Sequence, residues 1–63
     1  MKYTATRFHD RVMTIGANVV VIKDKADLNN VRYLVVLFKA WNNAELKANC
    51  GNIKDAMTFA HSC

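Results

Sequence analysis

The chain has 63 residues, of which 52% are hydrophobic and 22% charged. That balance belongs to a globular chain, not a disordered one, and the length has room for a single domain, residues 1–63. A domain of this size buries only about 60% of the surface its unfolded chain exposes, so a core and a deep substrate pocket compete for the same few residues and an enzyme is not expected.

Nine Lys and Arg against five Asp and Glu give a formal charge of +4, which favours acidic partners such as nucleic acid or an acidic protein face. The basic residues are spread along the chain with no run of three. Two cysteines, Cys50 and Cys63, are too few for a secreted disulfide scaffold. They are expected as free thiols in a reducing, cytoplasmic compartment. Met1-Lys2 is followed by Tyr3-Thr4-Ala5-Thr6-Arg7, not by an apolar stretch, so no signal peptide is expected. The longest apolar run, Tyr33 to Phe38, is far shorter than a membrane span.

In chain order, the first fifteen residues support two readings. Tyr3 to Phe8 is strand-like, with Thr4 and Thr6 on one side. Ala5, Phe8, Val12 and Ile15 also fit a helical stripe, with Gly16 as its C-cap. The strand is preferred, kinked around His9-Asp10. Asn18 to Lys23 is β-branched and reads as a second strand. Asp24 to Asn30 is polar apart from Ala26 and Leu28 and reads as a loop.

Val31 to Trp41 is rich in β-branched and aromatic residues, and residues 44–50 alternate apolar and polar. That period of two marks a half-buried strand. Asn42-Asn43 between them suits a two-residue hairpin turn, because Asn tolerates positive φ. The predicted hairpin, 31–41 with 44–50, sets Trp41 opposite Ala44, Leu37 opposite Ala48 and Val35 opposite Cys50. A three-residue turn would oppose Lys39 to Lys47, and like charges directly across a ladder are destabilising.

Gly51 then interrupts the pattern and Asn52 is a good N-cap. Ile53, Ala56, Met57 and Ala60 recur with helical spacing, predicting an amphipathic helix over 53–61. The rival, one helix from 44 to 61, would place Gly51 mid-helix at a cost of about 1 kcal/mol. The expected fold is therefore α+β: a three- or four-stranded antiparallel sheet with a C-terminal helix, the N-terminal segment being strand or helix.

Strand 31–41 carries more apolar surface than one helix can cover. Val31, Tyr33, Val35, Leu37 and Trp41 alternate with Leu34, Val36, Phe38 and Ala40, whereas the next strand offers Glu45, Lys47 and Asn49 on one side. The Leu34, Val36, Phe38 face needs a cover: the N-terminal segment as a helix, a second copy in a homodimer, or another protein.

Chemistry-bearing motifs are sparse. His9 and His61 have no readable nucleophile beside them, and Ser62 and Cys63 sit at a terminus. His61-x-Cys63 is not a zinc spacing and no C-x-x-C occurs. With two glycines, a phosphate-cradling loop is excluded. No metal, cofactor or small-molecule substrate is expected.

The expected function is that of a small non-catalytic regulatory or inhibitory protein, of the kind phages and mobile elements encode. It would occlude a protein partner, for instance one that handles nucleic acid. The expected contact surface is Leu34, Val36 and Phe38 with Arg32 and Lys39 on its rim. The alternative is direct binding of nucleic acid through Arg7, Arg11, Arg32, Lys39 and Lys47, with aromatics on the sheet for stacking.

Overall fold

Period-two apolar segments become strands and the one segment with helical spacing becomes a helix in the computed structural model, which describes residues 2–40 and 43–62. β1 (His9–Ile15), β2 (Val19–Asp24), β3 (Arg32–Ala40) and β4 (Asn43–Cys50) precede α1 (Ile53–His61). The strands form one antiparallel sheet in the order β1-β2-β3-β4. Short loops make this meander the natural result, since sequential antiparallel strands need only a turn between them. Among the described residues no helix is long and apolar enough to cross a membrane.

The sheet has a core on each face. On one, Val19, Val21 and Val35 pack with Ala56 and Ala60 of α1, joined by Met13, Ile15, Tyr33, Leu37, Ala48 and Cys50. On the other, Val20, Ile22, Leu34 and Val36 pack with Tyr3, Ala44 and Leu46. The largest fully buried side chains are Val21, Val35 and Val36, and each such burial stabilises by about 1.5–3 kcal/mol.

The helix begins where the sequence indicates. Asn52 is extended, and its side chain accepts the Asp55 N–H at 2.8 Å while its amide donates back to the Asp55 carboxylate at 3.1 Å. One of the orphan N–H groups of the first turn is thus satisfied by the cap, and the Asn52 amide is held by the residue it caps. Ala56 and Ala60 face the sheet, so the helix axis lies close to the strands.

The cover of the second face differs from expectation. Residues 3–8 are neither a regular strand nor a helix, and β1 starts at His9. Lys2 bridges Glu45 at the outer edge of β4, and the Tyr3 N–H donates to the Ala44 carbonyl at 3.0 Å. The chain then crosses the face to β1, at the opposite edge. Extended chain reaches about 3.3 Å per residue, so this strap covers about 20 Å, more than the roughly 14 Å across three strand spacings. The strap forms because Ala5, Phe8, Val12 and Ile15, for all their helical spacing, lose to the apolar floor that only an extended segment of this length can span. Gly16 is accordingly no C-cap. It lies in the loop between β1 and β2 with φ of 64°.

The hairpin register also differs. Val35 faces Ala48, not Cys50; Leu37 faces Glu45, not Ala48; Asn43 is not a turn residue but pairs with Ala40. The expected Trp41–Ala44 pair and the Asn42 half of the turn fall outside the described residues. Sliding a strand by two residues keeps every side chain on its face, so alternation alone could not distinguish the two registers. A bulge between Val35 and Val36 then reverses the alternation of β4. Ala48 and Cys50 serve the helix side, whereas Ala44 and Leu46 serve the strap side. β4 therefore feeds both cores, and its apolar residues do not share one face as expected.

Two substitutions test this packing. Gly16→Ala meets no atom within 4 Å, so its cost is that of the backbone conformation alone. It should lower stability by about 1–2 kcal/mol in urea denaturation, and Gly16→Asn by less. Ala56→Leu has nowhere to place its extra atoms and should cost about 1–3 kcal/mol by overpacking.

Candidate functional site

The strap is narrow, and it leaves gaps. On either side of Tyr3 lies an open cleft, and both clefts are lined by Tyr3, Ala5 and Phe38. One, of about 280 Å³, is completed by His9, Arg11, Val20 and Ile22. The other, of about 350 Å³, is completed by Asn43 and Ala44. Phe38 stands at the lip of both and is 41% exposed.

The ring of Tyr3 is fixed in place. It stacks on the imidazole of His9 with centroids 5.6 Å apart, and its hydroxyl lies 3.1 Å from His9 Nδ1. His9 Nε2 lies 3.4 Å from the Asp24 carboxylate. A carboxylate only accepts, so Nε2 carries the proton and Nδ1 accepts from the Tyr3 hydroxyl. Asp24 is placed by the ladder, where His9 and Asp24 are direct partners, and its other oxygen accepts the Ala26 N–H at 3.0 Å. The chain Tyr3–His9–Asp24 has the connectivity of nucleophile, base and orienting acid. Burial, and then the Asp24 charge, push the Tyr3 phenol above its ordinary pKa. The stacked, hydrogen-bonded contact of Tyr3 with His9 ties the strap to β1 as a latch.

The expected contact residues are not one patch. Leu34 and Val36 lie beneath the strap, Val36 with no exposure at all. They are the floor and not a contact surface, because the protein's own N-terminal segment covers them. Arg32 lies at the far end of β3 from Phe38, donating from Nε to the Asn49 side chain at 2.7 Å and from Nη2 to the Asn49 carbonyl at 3.1 Å. Lys39 and Lys47 both bind the Glu45 carboxylate, Lys47 at 3.1 Å. Of the expected surface, Phe38 alone remains at the site.

Of the expected nucleic-acid set, Arg7 and Arg11 are exposed on or beside the strap face, with the Arg7 guanidinium 4.9 Å from the centre of the Phe8 ring. Lys25, by contrast, pairs with Asp10 at 2.6 Å. Among the described residues neither Arg7 nor Arg11 forms an ion pair.

Sequence reasoning missed Tyr3, Ala5, Asn43 and Ala44 as cleft residues, and met His9 only as a stray acid–base group. The usable signal was pairing: a strand starting at His9 across a short loop brings His9 opposite Asp24. On the helix side, His61 lines a separate opening of about 380 Å³ with Ile15, Gly16, Asn18 and Leu37. Among the described residues no cluster of three or more His, Cys, Asp or Glu is placed to hold a metal ion. Compared with protein-family models, curated proteins and solved structures, the chain matches none.

The Glu45 cluster has a pH signature. Hydrogen bonds from Lys39 and then Lys47 hold the Glu45 carboxyl down at about 2, against an ordinary 4.5. A lowered folded-state pKa adds stability above the unfolded value that disappears as pH falls toward the folded one. Denaturation of wild type and Glu45→Gln should therefore differ at pH 7 and converge between pH 4.5 and about 2. Glu45 stays in contact with water, so the difference should be small and shrink with salt.

Proposed function

We propose that this chain is a non-catalytic protein-binding module whose contact surface is the strap face around Phe38, and that it acts by occluding the surface it docks on. The observation that carries this reading is the exposed Phe38 at the lip of two open clefts, one of them walled by the unpaired Arg11. Contiguous exposed apolar surface ringed by polar groups is typical of protein contacts. The clefts, at about 280 and 350 Å³, sit at the lower end of the roughly 300–1,000 Å³ of ligand pockets. They suit side-chain anchors better than a whole substrate. A heterologous partner is favoured over a second copy, because two chains of charge +4 would bring like-charged rims together.

Direct binding of single-stranded nucleic acid is the alternative, favoured by Arg7 stacked over Phe8 next to Arg11. Against it, the Tyr3 ring is already stacked on His9, and Lys39 and Lys47 are held by Glu45.

One experiment separates the two. The protein is used as bait in a lysate of its native host, with and without nuclease. A specific protein should be captured in both arms, and Phe38→Asp should lose it while circular dichroism remains unchanged. Capture that vanishes with nuclease, or affinity for an oligonucleotide that falls steeply with salt, would replace protein binding by nucleic-acid binding.

A further inference from the structure

Tyr3, Ala5 and Phe38 are common to both clefts, so an occupant of one touches the walls of the other. The remaining walls differ in chemistry. The β1–β2 cleft has the apolar floor of Val20 and Ile22 and a cationic wall in Arg11. The β4 cleft has Asn43 and Ala44 and no charged wall.

Charge on this face is unbalanced. Asp24, across the ladder from His9, is already occupied by His9 and the Ala26 N–H. Glu45 is held by two lysines and Asp10 by Lys25. Among the described residues, the carboxylates around the strap are thus committed within the fold, whereas Arg7 and Arg11 are not. A bound anion would meet cations that need no rearrangement to receive it.

We propose that the strap face takes an acidic peptide segment of a partner protein, with one large apolar side chain in each cleft astride Phe38 and a carboxylate against Arg11. This rests on the protein-binding reading and adds the chemistry of the partner. The apolar anchors supply affinity by burying Phe38 and the cleft walls, and the carboxylate fixes orientation through the planar guanidinium fork. A basic peptide would set like charges against Arg7 and Arg11.

The test uses an array of synthetic peptides carrying two Leu or Phe residues at varied spacing around one Asp, with Asn, Lys and Ala replacements as controls. Binding is read by fluorescence polarisation and by amide chemical shifts of the ¹⁵N-labelled protein. The Asp peptides should bind and shift Ala5, Arg11, Phe38 and Asn43. Asp→Asn in the peptide should weaken binding on the order of tenfold. Arg11→Gln should weaken the Asp peptide to the level of the Asn peptide and leave the Asn peptide unchanged.

Binding that ignores the Asp, ignores Arg11, or shifts helix resonances instead overturns the proposal. If a Phe38-dependent protein is captured from lysate while the array shows no acidic–apolar preference, the peptide chemistry is wrong and protein binding stands. If oligothymidylate displaces the bound peptides and binds more tightly itself, both readings fall.

Discussion

Everything in this fold answers to the fact that the two central strands are apolar on both faces. Val20 and Val21 are neighbours in β2 and point in opposite directions, as do Val35 and Val36 in β3, and all four are buried. A sheet of this kind cannot leave one side to water. Among the described residues there is one helix, α1, and it covers a single face through Ala56 and Ala60. The other face must be covered by what remains, which is the segment before β1.

The outer strands are shaped by the same demand. β4 supplies apolar side chains to both cores, which strict alternation would not allow, and β1 supplies the helix side while turning polar residues to the strap. Each strand carries a register shift. In β1 the register shifts between Arg11 and Met13, so His9 and Arg11 lie on the strap side while Met13 and Ile15 reach the helix side. In β4 the shift between the partners of Val35 and Val36 does the same for Leu46 and Ala48. An extra residue that twists the strand also makes an exposed edge a poorer template for aggregation. In β4 the bulge has an electrostatic consequence, because it sets Glu45 opposite Leu37, within reach of both Lys39 and Lys47.

This explains which features were legible in the sequence. Helix 53–61, its Asn52 cap, the strand from about 18 to 23 and the loop after Asp24 rest on signals within a few residues. The two-sided apolar character of β3 was equally plain. Register was not, because a slip of two residues preserves the pattern and a bulge is invisible to it. The strap was not, because Ala5, Phe8, Val12 and Ile15 carry a period that a helix would also satisfy. Assigning Leu34 and Val36 to a contact surface followed from missing the strap. Grouping Arg32 and Lys39 with Phe38 took nearness along the strand for a shared environment, whereas Asn49 and Glu45 hold those two elsewhere.

The candidate site is what an imperfect cover leaves behind. A helix presents a cylinder of side chains wide enough to close the ground beneath it. An extended strap presents one chain width, and this one is built of small residues, Thr4, Ala5 and Thr6. Its Tyr3 packs on the apolar floor, but the small residues that follow leave open clefts beside it. Gaps of that sort would ordinarily close by letting the strap shift, since an interior gains contact energy by collapsing. Here two contacts tie the strap down. The backbone bond from Tyr3 to Ala44 ties one end, and the stacked, hydrogen-bonded contact of Tyr3 with His9 braces its ring from β1. If the strap face binds a partner as proposed, the latch does for it what rigid scaffolding does for a loop: the two clefts are formed beforehand, and the partner does not have to supply the energy of forming them.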